Sequence, residues 1–423
     1  MPLRLLKVLA FSIFLLSTLS ITAQGQNILY TEIEKSSHDE WTVSYQSSKP
    51  IQAVMFANSP DSSRLQRWRL LSPEFSFNYI NGKEVISRKD GTAFTFIKLK
   101  LTPNYVHLPK NYAPFSPFSN DGMLVHSGRF FACANICSGL ENTWAMAVKA
   151  PRQDNIVVGG KVYLSETSWW DKNEGQKFYI GKQRFEVNID YNAIVDPLLL
   201  GHIGKQLQEA FPSMMAVLDK SYGALQHKPM LFASVSTTND GSFGRQGGTL
   251  PKQIFMHWYG DVKHQKRDEF ETLWFFAHEA AHMYQNLPGK AITPVDNWLH
   301  EGHAEMMAKK IIISLLPQYS ELVAGKVSKA EANCEVVTQN SSLSEQVKAG
   351  NYQSLYDCGL YIFNMIDFNY QGDNGAEALW MEFIKQASNG HKIDSHELIS
   401  LAQRNYHLAH TQADDFRKIV GIN

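Results

Sequence analysis

The hydrophobic period of the chain changes once, near Pro197. Before that residue, short runs alternate apolar and polar positions and are separated by turn residues, as expected for half-buried strands. The clearest runs cover residues 41–45, 53–56, 93–97, 156–158, 161–163 and 184–188. Their β-branched and aromatic content predicts an N-terminal β-sheet domain, either a sandwich or a saddle-like sheet.

After Pro197, apolar residues recur every three or four positions, which is the period of an amphipathic helix. Residues 198–219 are predicted to form the first such helix, and an apolar run at 230–235 predicts a strand. Near the C-terminus a small helical subdomain is predicted from residues 374–388, 394–404 and 412–420. Strands followed mostly by helices predict an α+β fold.

The first residues have the composition of a secretory signal peptide. The basic residues Arg4 and Lys7 precede an apolar stretch at about 8–19, and small residues follow near Ala23. This stretch is too short for a membrane span. We therefore expect cleavage of residues 1–23 and a secreted or periplasmic protein. The alternative is a cytosolic protein whose N-terminus is apolar by chance.

Chain length and charge restrict the remaining possibilities. The roughly 400 residues that follow the signal peptide exceed what one hydrophobic core usually serves, so two domains are expected, at 24–196 and 197–423. There are 40 Lys and Arg residues against 41 Asp and Glu residues, a formal net charge of −1. This balance gives no reason to expect nucleic acid or an anionic membrane as a partner. No stable membrane insertion is expected after signal cleavage, because no other stretch is long and apolar enough.

The sequence His278-Glu279-Ala280-Ala281-His282 carries the most specific chemistry of the chain. Residues four apart lie on one face of a helix, so His278 and His282 can direct two imidazole nitrogens toward one point. Glu279 lies beside them, within reach of a water molecule bound there, and this spacing is typical of zinc hydrolases. Apolar and aromatic neighbours predict a buried helix. The alternative is an amphipathic helix whose histidines bind no metal.

A second helix is predicted from Asn297 to about Leu316, with Asp296 as its N-cap and Pro317 after its end. On this helix Glu301 offers a carboxylate as the third ligand. Two histidines and one glutamate leave a coordination position open, as in catalytic Zn²⁺ sites, whereas structural zinc sites are closed, usually by cysteines.

Two neighbours of Glu301 on this helix are also informative. Gly302 lies inside the helix, where glycine costs about 1 kcal/mol relative to alanine, which indicates close packing at this point. Glu305 follows Glu301 by one turn and is expected to accept the free N–H of a ligand histidine. The alternative for Glu305 is a solvated charge. His300 and His303 lie on other faces of the helix and are not expected to bind the metal.

The zinc motif, the eighteen residues after it and the Trp-Leu-x-Glu-Gly sequence around Glu301 resemble the gluzincin metallopeptidases of the aminopeptidase N and leukotriene A4 hydrolase type. The chain is also similar to the related glycyl aminopeptidases. The resemblance covers the C-terminal half well, and the N-terminal half only in the order of its parts. It implies a thermolysin-like catalytic domain, a zinc ion held by His278, His282 and Glu301, Glu279 as general base, and peptide substrates.

The resemblance also assigns a role to Tyr356. The family has, on a later helix, a tyrosine in a Tyr-x-x-Gly setting that stabilises the oxyanion, and Tyr356-Asp357-Cys358-Gly359 resembles this element. The match is less specific than the zinc motifs, because Cys358 stands where the family has lysine. The alternative is that Tyr356 is an aromatic residue of a capping turn.

One departure from the family concerns the substrate. The family has a Gly-x-Met-Glu-Asn segment before the zinc helix, whose glutamate binds the free amine of the substrate. The corresponding residues 247–258 contain no acidic residue. We interpret them as an edge strand beside the cleft, on which an extended peptide pairs through the backbone of Gly247, Gly248 and Thr249. Aminopeptidase and endopeptidase action both stay open.

The four cysteines, Cys133, Cys137, Cys334 and Cys358, can pair in three ways in an oxidising compartment. We expect Cys133–Cys137 and Cys334–Cys358, because these pairs close short loops and the second fixes the segment that carries Tyr356. A disulfide would also account for cysteine at the position of the family's lysine. Free buried thiols are the alternative.

These features predict a secreted zinc-dependent metallopeptidase that hydrolyses peptide bonds with a metal-activated water and Glu279 as general base. The alternative is a catalytically retired protein of peptidase fold, which binds peptides or surface ligands through the same cleft. The presence of all candidate ligands and of the general base favours the enzyme.

Overall fold

The structure is a computed structural model that describes residues 28–108, 111–199, 204–238, 241–260, 269–287, 292–370 and 374–422. The expected signal peptide lies outside these residues. Within the described ranges, no helix combines the length and the apolar character that a membrane span requires.

Strands form most of the chain up to Gly181. In chain order they are β1 (Leu29–Lys35), β2 (Trp41–Ile51), β3 (Ala53–Phe56), β4 (Arg69–Leu70), β5 (Phe75–Ile80), β6 (Lys83–Arg88), β7 (Phe94–Leu101), β8 (Phe115–Pro117), β9 (Met123–His126), β10 (Ala132–Ala134), β11 (Thr143–Lys149), β12 (Asn155–Val158), β13 (Lys161–Leu164), β14 (Glu166–Lys172) and β15 (Lys177–Gly181). One short helix, α1 (Ser63–Arg67), lies between β3 and β4.

In the described part of the chain, these strands make three sheets around a shared hydrophobic core. Their orders are β14-β11-β1-β2-β7-β4, β10-β3-β6-β5 and β13-β12-β15-β9-β8. Alternate residues of β2, such as Trp41, Val43 and Tyr45, are buried, and they pack with apolar residues of the other two sheets, including Phe56 and Phe115. The predicted N-terminal β-sheet domain is therefore confirmed.

A mixed sheet and a set of helices follow. The strands are β16 (Glu186–Val187), β17 (Asn192–Val195), β18 (Met230–Ser236), β19 (Gly244–Leu250) and β20 (Gln253–Tyr259). Their order is β16-β17-β18-β20-β19, which places β19 at one edge. The helices are α2 (Lys205–Tyr222), α3 (Glu269–Tyr284), α4 (Trp298–Leu315), α5 (Ser320–Thr338), α6 (Leu343–Lys348), α7 (Gln353–Asn369), α8 (Gly375–Ser388), α9 (Ser395–Asn405) and α10 (His410–Val420). The α+β class is confirmed, and α8 to α10 match the predicted C-terminal helices.

A small apolar cluster joins the sheets of the N-terminal half to the mixed sheet. Phe118 and Tyr179 from the first part pack with Phe232, Leu250 and Phe255 of the second. The edge strand β19 therefore lies against the β-sheet domain, and the two together form one side of a cleft.

Two predicted boundaries were wrong. The helix expected from residue 198 is seen from Lys205, because the carboxylate of Asp196 accepts the backbone N–H of Leu198 at 2.9 Å and forms a turn instead. Residues 247–258 are not one strand. They contain the end of β19, a turn at Pro251 and Lys252, and most of β20.

The predicted cap of α4 was also wrong. Asp296 belongs to a 3₁₀ turn at Pro294–Asp296, and its Oδ1 accepts the backbone N–H of Ser395 at 3.0 Å. Helix α4 begins at Trp298 without a side-chain cap from the preceding residue. Asp296 thus fixes the start of α9 rather than that of α4.

Helices α4 and α7 pack at very short range. A Cβ atom on Gly302 would lie 2.4 Å from the Cα of Gly359, and a Cβ atom on Gly359 would lie 2.5 Å from the Cα of Gly302. The close packing expected at Gly302 is therefore confirmed. Two glycines let the backbones approach, and this brings Glu301 of α4 and Tyr356 of α7 together.

Candidate active site

Helix α3 carries the zinc motif in a buried position. His278 and Glu279 are buried, and His282 is half-buried. The two imidazole rings stand at 86° to each other with their centroids 4.6 Å apart. Their Nε2 atoms are separated by 3.0 Å. The spacing of four residues thus directs both rings to one point, as the helical period requires.

Helix α4 brings Glu301 to the same point. Its Oε2 atom lies 3.2 Å from Nε2 of His278 and 3.3 Å from Nε2 of His282. A tetrahedral zinc ion with bonds of about 2.0–2.1 Å places its ligand atoms about 3.3 Å apart. The three atoms therefore have the mutual spacing of zinc ligands. No other group of His, Cys, Asp and Glu in the described ranges converges in this way.

The outer nitrogens of the two imidazoles indicate where their protons lie. Nδ1 of His278 is 3.0 Å from Oε1 of Glu305, and Nδ1 of His282 is 3.0 Å from Oε1 of Gln285. Because both oxygens are acceptors, these contacts favour a proton on Nδ1 of each ring, which leaves the lone pair of Nε2 for a cation bound between the ligands. Two lone pairs and a carboxylate oxygen repel one another unless a cation lies between them. The donor set therefore fits Zn²⁺.

The charges of this cluster shift two pKa values in opposite directions. Burial lowers the pKa of His278, but the carboxylates of Glu301 and Glu305 outweigh burial and raise it well above its usual value. Burial raises the pKa of Glu301, but contacts with His278 and His282 outweigh burial and lower it well below its usual range. The site thus keeps its carboxylate ionised and attracts positive charge, which suits a divalent cation.

Glu305 connects the two helices behind the cluster. One carboxylate oxygen faces Nδ1 of His278, and the other accepts the indole N–H of Trp274 at 2.8 Å. The residue is only 9% exposed, so Glu305 is buried between α3 and α4 and not solvated. This is the position that the sequence predicted for a partner of a ligand histidine.

Glu279 lies on the cleft side of α3 and contacts the edge strand. Oγ1 of Thr249 is 2.7 Å from Oε2 of Glu279 and 2.9 Å from its backbone oxygen. Gly247 and Gly248 precede Thr249 on β19, and all three line the same cavity as Glu279. The structure thus brings the predicted substrate strand into direct contact with the predicted general base.

Tyr356 lies on α7, on the other side of the three converging atoms. Its hydroxyl donates to Oε1 of Glu301 at 3.2 Å, and its ring centroid is 5.7 Å from that of His278. Burial, followed by the charge of Glu301, raises the pKa of Tyr356. The hydroxyl therefore keeps its proton at neutral pH and acts as a hydrogen-bond donor.

Both disulfide bonds expected from the sequence are present. Cys334–Cys358 has an S–S distance of 2.04 Å and links α5 to α7, two residues after Tyr356. Cys133–Cys137 has an S–S distance of 2.05 Å and closes a loop after β10. Among the described residues no cysteine is free.

The sequence did not indicate the polar chain behind His282. Nε2 of Gln285 donates to the backbone oxygen of His300 at 2.6 Å and lies 3.1 Å from Nδ1 of His303. His303 is fully buried, and its Nε2 lies 2.8 Å from the hydroxyl of Tyr222. Burial lowers the pKa of His303 well below its usual value, so this ring is neutral. The position of Gln285, three residues after a ligand at the end of α3, was the available signal.

The cluster opens into a cavity of about 710 Å³. One wall is formed by β19 and by the turn that follows it. Glu279, His282, His300, Glu301 and Tyr356 line the opposite side, from α3, α4 and α7. A groove with an edge strand on one wall and a candidate metal centre on the other can hold an extended chain.

Comparison with solved structures finds this fold in known enzymes. The structure of an aminopeptidase N family protein from Idiomarina loihiensis matches with a TM-score of 0.63 over 93% of this chain and 76% of that chain, at 10% identity. An M1 zinc metallopeptidase from Deinococcus radiodurans matches with a TM-score of 0.52 over 93% of this chain and 92% of that chain, at 13% identity. The chain has the fold of the M1 zinc metallopeptidases.

A third neighbour with the M1 fold is native yeast LTA4 hydrolase, which matches with a TM-score of 0.52 at 11% identity. The match covers 92% of this chain and 66% of the yeast chain, so this chain spans about two thirds of the length of that enzyme. No protein-family model and no curated protein matches the sequence. At these identities the likeness concerns the fold, and the activity has to be argued from the site residues.

Proposed function

We propose that this chain is a secreted or periplasmic zinc-dependent metallopeptidase that hydrolyses peptide bonds. The observation that carries the proposal is the convergence of Nε2 of His278, Nε2 of His282 and Oε2 of Glu301 within 3.0–3.3 Å of one another. Such a set of three ligands leaves a fourth position open, which distinguishes catalytic from structural zinc sites.

In this proposal His278, His282 and Glu301 hold the ion, and Glu305 is a positioning residue that fixes the ring of His278. Zinc supplies a Lewis acid, which makes water a nucleophile near neutral pH and polarises a scissile carbonyl. Glu279 accepts the proton of the attacking water and returns it to the leaving amine. Thr249 holds one oxygen of Glu279 and leaves the other toward the cleft.

Tyr356 has the position of an oxyanion donor. Its hydroxyl keeps its proton and rests against Glu301, at the edge of the cavity that receives the substrate. When the scissile carbonyl becomes tetrahedral, the hydroxyl can turn to the developing negative charge. A preorganised donor of this kind typically contributes about 2.7–4 kcal/mol to the barrier.

The edge strand β19 is the proposed binding surface for an extended peptide. Its glycines keep the strand close to neighbouring aromatic rings: a Cβ atom on Gly247 would lie 2.4 Å from the ring of Phe275, and one on Gly248 would lie 2.4 Å from the hydroxyl of Tyr112. A substrate that adds a strand here gains backbone hydrogen bonds, and the side-chain pockets beside the strand determine specificity.

The cleft has no obvious group for the amine of a substrate. Among the described residues that line it, the carboxylates are those of Glu279 and Glu301, which already have roles. Endopeptidase action therefore fits the cleft at least as well as aminopeptidase action. The structure of the Deinococcus radiodurans enzyme has also been determined as a mutant bound to a Tyr-Ser-Ala substrate.

Export from the cytosol is part of the proposal. It is supported by the signal-like sequence at 1–23 and by two disulfide bonds, which persist mainly in oxidising compartments. The division into domains at 24–196 and 197–423 is proposed on the change from a sheet-based to a helix-based core.

The test combines metal analysis with peptide cleavage. Purified protein is analysed for zinc and incubated with a mixed peptide library, with and without a chelator, and the products are sequenced by mass spectrometry. We expect about one zinc per chain and chelator-sensitive cleavage. Loss of single N-terminal residues would indicate an aminopeptidase, and internal cuts an endopeptidase. A zinc-loaded protein that cleaves no peptide would overturn the proposal. The alternative, a catalytically retired protein of peptidase fold that binds peptides or surface ligands, would then be favoured.

A further inference from the structure

A second cavity adjoins the active-site cleft on the side of the β-sheet domain. It has a volume of about 450 Å³, and Asn111 and Tyr112 line both cavities. Tyr112 also touches the catalytic region, because its hydroxyl donates to the backbone oxygen of Thr249 at 3.3 Å. We call this cavity the Arg129 pocket, after the residue that lies in its wall.

Arg129 is a buried cation that forms no ion pair of its own among the described residues, because the nearby carboxylate of Glu84 is paired with Arg64. The residue is 2% exposed, and its Nε and Nη1 atoms are buried without a hydrogen-bond partner among the described residues. Burial, and then the nearby Arg64, lowers the pKa of Arg129 to about 9, so the group is charged at neutral pH. An unpaired buried charge is costly, and a protein that keeps one beside a cavity can use it to bind an anion.

The neighbouring Arg64 shows what a structural arginine in this region looks like. Its guanidinium pairs with Glu84 and donates to the backbone oxygen of Asn58 at 2.9 Å. It also donates to the backbone oxygen of Arg129 at 2.8 Å. Arg64 thus uses both terminal nitrogens within the fold and leaves only its Nε without a partner, whereas Arg129 makes no side-chain hydrogen bond to any described residue.

The rest of the wall favours a carboxylate on a short aliphatic stem. The rings of Phe131 and Trp144 stack at 4.7 Å and give the pocket an apolar side. The indole N–H of Trp144 has no acceptor among the described residues. It is therefore a second unpartnered donor among the residues that line the pocket.

The other charged groups of the pocket do not cancel the guanidinium. Lys83 donates to the backbone oxygen of Ala57 at 2.9 Å. Glu141 accepts from the backbone of Ser138 and Gly139 at 2.9 and 3.0 Å, within its own loop. Glu174 is exposed at the rim. The charge of Glu141 is thus already compensated by hydrogen bonds, and that of Glu174 is screened by solvent, so neither prevents an anion from reaching the guanidinium.

We propose that the Arg129 pocket is a subsite of the cleft for a carboxylate of the bound peptide. The stem of the group packs on Phe131 and Trp144, and its oxygens accept from Arg129 and from the indole N–H. The carboxylate comes from an acidic side chain or from the C-terminus of the substrate. This inference rests on the proposed peptidase function and names the substrate class that the enzyme prefers.

The test on the unaltered enzyme uses matched peptides. In one series Glu or Gln occupies each position in turn of an alanine-based decapeptide with an amidated C-terminus. In the other, a neutral decapeptide ends in a free acid or an amide. We expect kcat/KM to be about 10-fold or more higher for the charged member of one series, since charged hydrogen bonds are the stronger ones. The series in which kcat/KM differs between the charged and the neutral peptide identifies the source of the carboxylate. Equal kcat/KM values for the charged and the neutral peptide in both series overturn the proposal.

Variants connect the preference to the pocket. The preference is the ratio of kcat/KM for the charged peptide to kcat/KM for the neutral one. Arg129→Gln should reduce this ratio to about one, and Arg129→Lys should retain part of the preference. Trp144→Phe keeps the stacked ring but removes the N–H, and should reduce the preference about 3-fold. The matched control is Trp170→Phe, because Trp170 is 55% exposed and does not line the pocket. If Arg129→Gln fails to fold, Arg129→Lys and Trp144→Phe decide the question, and a preference unchanged in both contradicts the proposal.

A binding measurement separates this inference from the proposed function. The same peptide pairs are titrated by calorimetry into the Glu279→Gln variant, where no turnover is needed. Tighter binding of the charged peptide that is lost with Arg129→Gln supports the subsite even if the native enzyme cleaves nothing. If the native enzyme cleaves the library but the variant binds charged and neutral peptides with equal affinity, the peptidase function is supported and the subsite is contradicted.

Discussion

Glu279 is positioned by a neutral hydroxyl group and by its own helix. Oγ1 of Thr249 lies 2.7 Å from one carboxylate oxygen, and no described residue donates a side-chain hydrogen bond to the other. The side chain is 7% exposed, at the boundary between α3 and the cavity. A carboxylate in this position has one oxygen free to accept a proton, as a general base requires.

The variant Glu279→Gln should separate catalysis from metal binding. Glutamine keeps the contact with Thr249 but cannot accept a proton, so kcat should fall by at least about 100-fold. Zinc content, measured by elemental analysis, should be unchanged, because Glu279 is not one of the three converging ligands. A variant with near-normal turnover would show that another group is the base.

The variant Tyr356→Phe removes one hydroxyl from the site. We expect kcat to fall about 100- to 1000-fold, with zinc content and thermal midpoint close to those of the parent. The ring stays in place, so packing against α4 is preserved. If kcat is unaltered, the contact of Tyr356 with Glu301 is structural and the oxyanion needs a different donor.

At the scale of elements, α3 and α4 were predictable because their signals are local. The zinc motif, the carboxylate and the glycine all lie within single helices, and the helical period places them on known faces. The hairpin of β19 and β20 was missed for an equally local reason. Its turn contains Lys252 at φ 67°, a left-handed conformation that the sequence does not signal with glycine or asparagine.

The contact between α4 and α7 gives a test with an internal control. Gly302→Ala should destabilise the protein by about 1–3 kcal/mol, because the added Cβ meets the backbone of Gly359 at 2.4 Å. Gly325→Ala in α5 should stabilise it by about 0.5–1 kcal/mol, since nothing lies within 4 Å of the added atom. Urea denaturation of both variants measures the difference. Equal effects would show that helix propensity, and not close packing, governs position 302.

At the scale of the whole molecule, the site is assembled from segments far apart in the sequence. Thr249 reaches Glu279, Gln285 reaches His303, and Tyr356 reaches Glu301 across 55 positions. The sequence predicted Thr249, Glu279, Glu301 and Tyr356 as site residues, but it predicted none of these three pairings. Contacts of this kind depend on how helices and sheet edges dock, and no local period encodes that.

Because the three proposed ligands come from two helices, zinc bound by them is expected to stabilise the fold. A ligand at 1,000 times its dissociation constant adds about 4.1 kcal/mol if it binds only the folded state. For a chain of this length that corresponds to a rise in thermal midpoint of about 5 °C. Calorimetry of zinc-loaded and chelated protein measures the shift. Glu301→Ala should abolish it, because one helix then contributes no ligand, whereas Glu279→Gln should retain it. If zinc raises the thermal midpoint of Glu301→Ala by the same amount, zinc binds elsewhere. The proposal that the metal links α3 to α4 is then wrong.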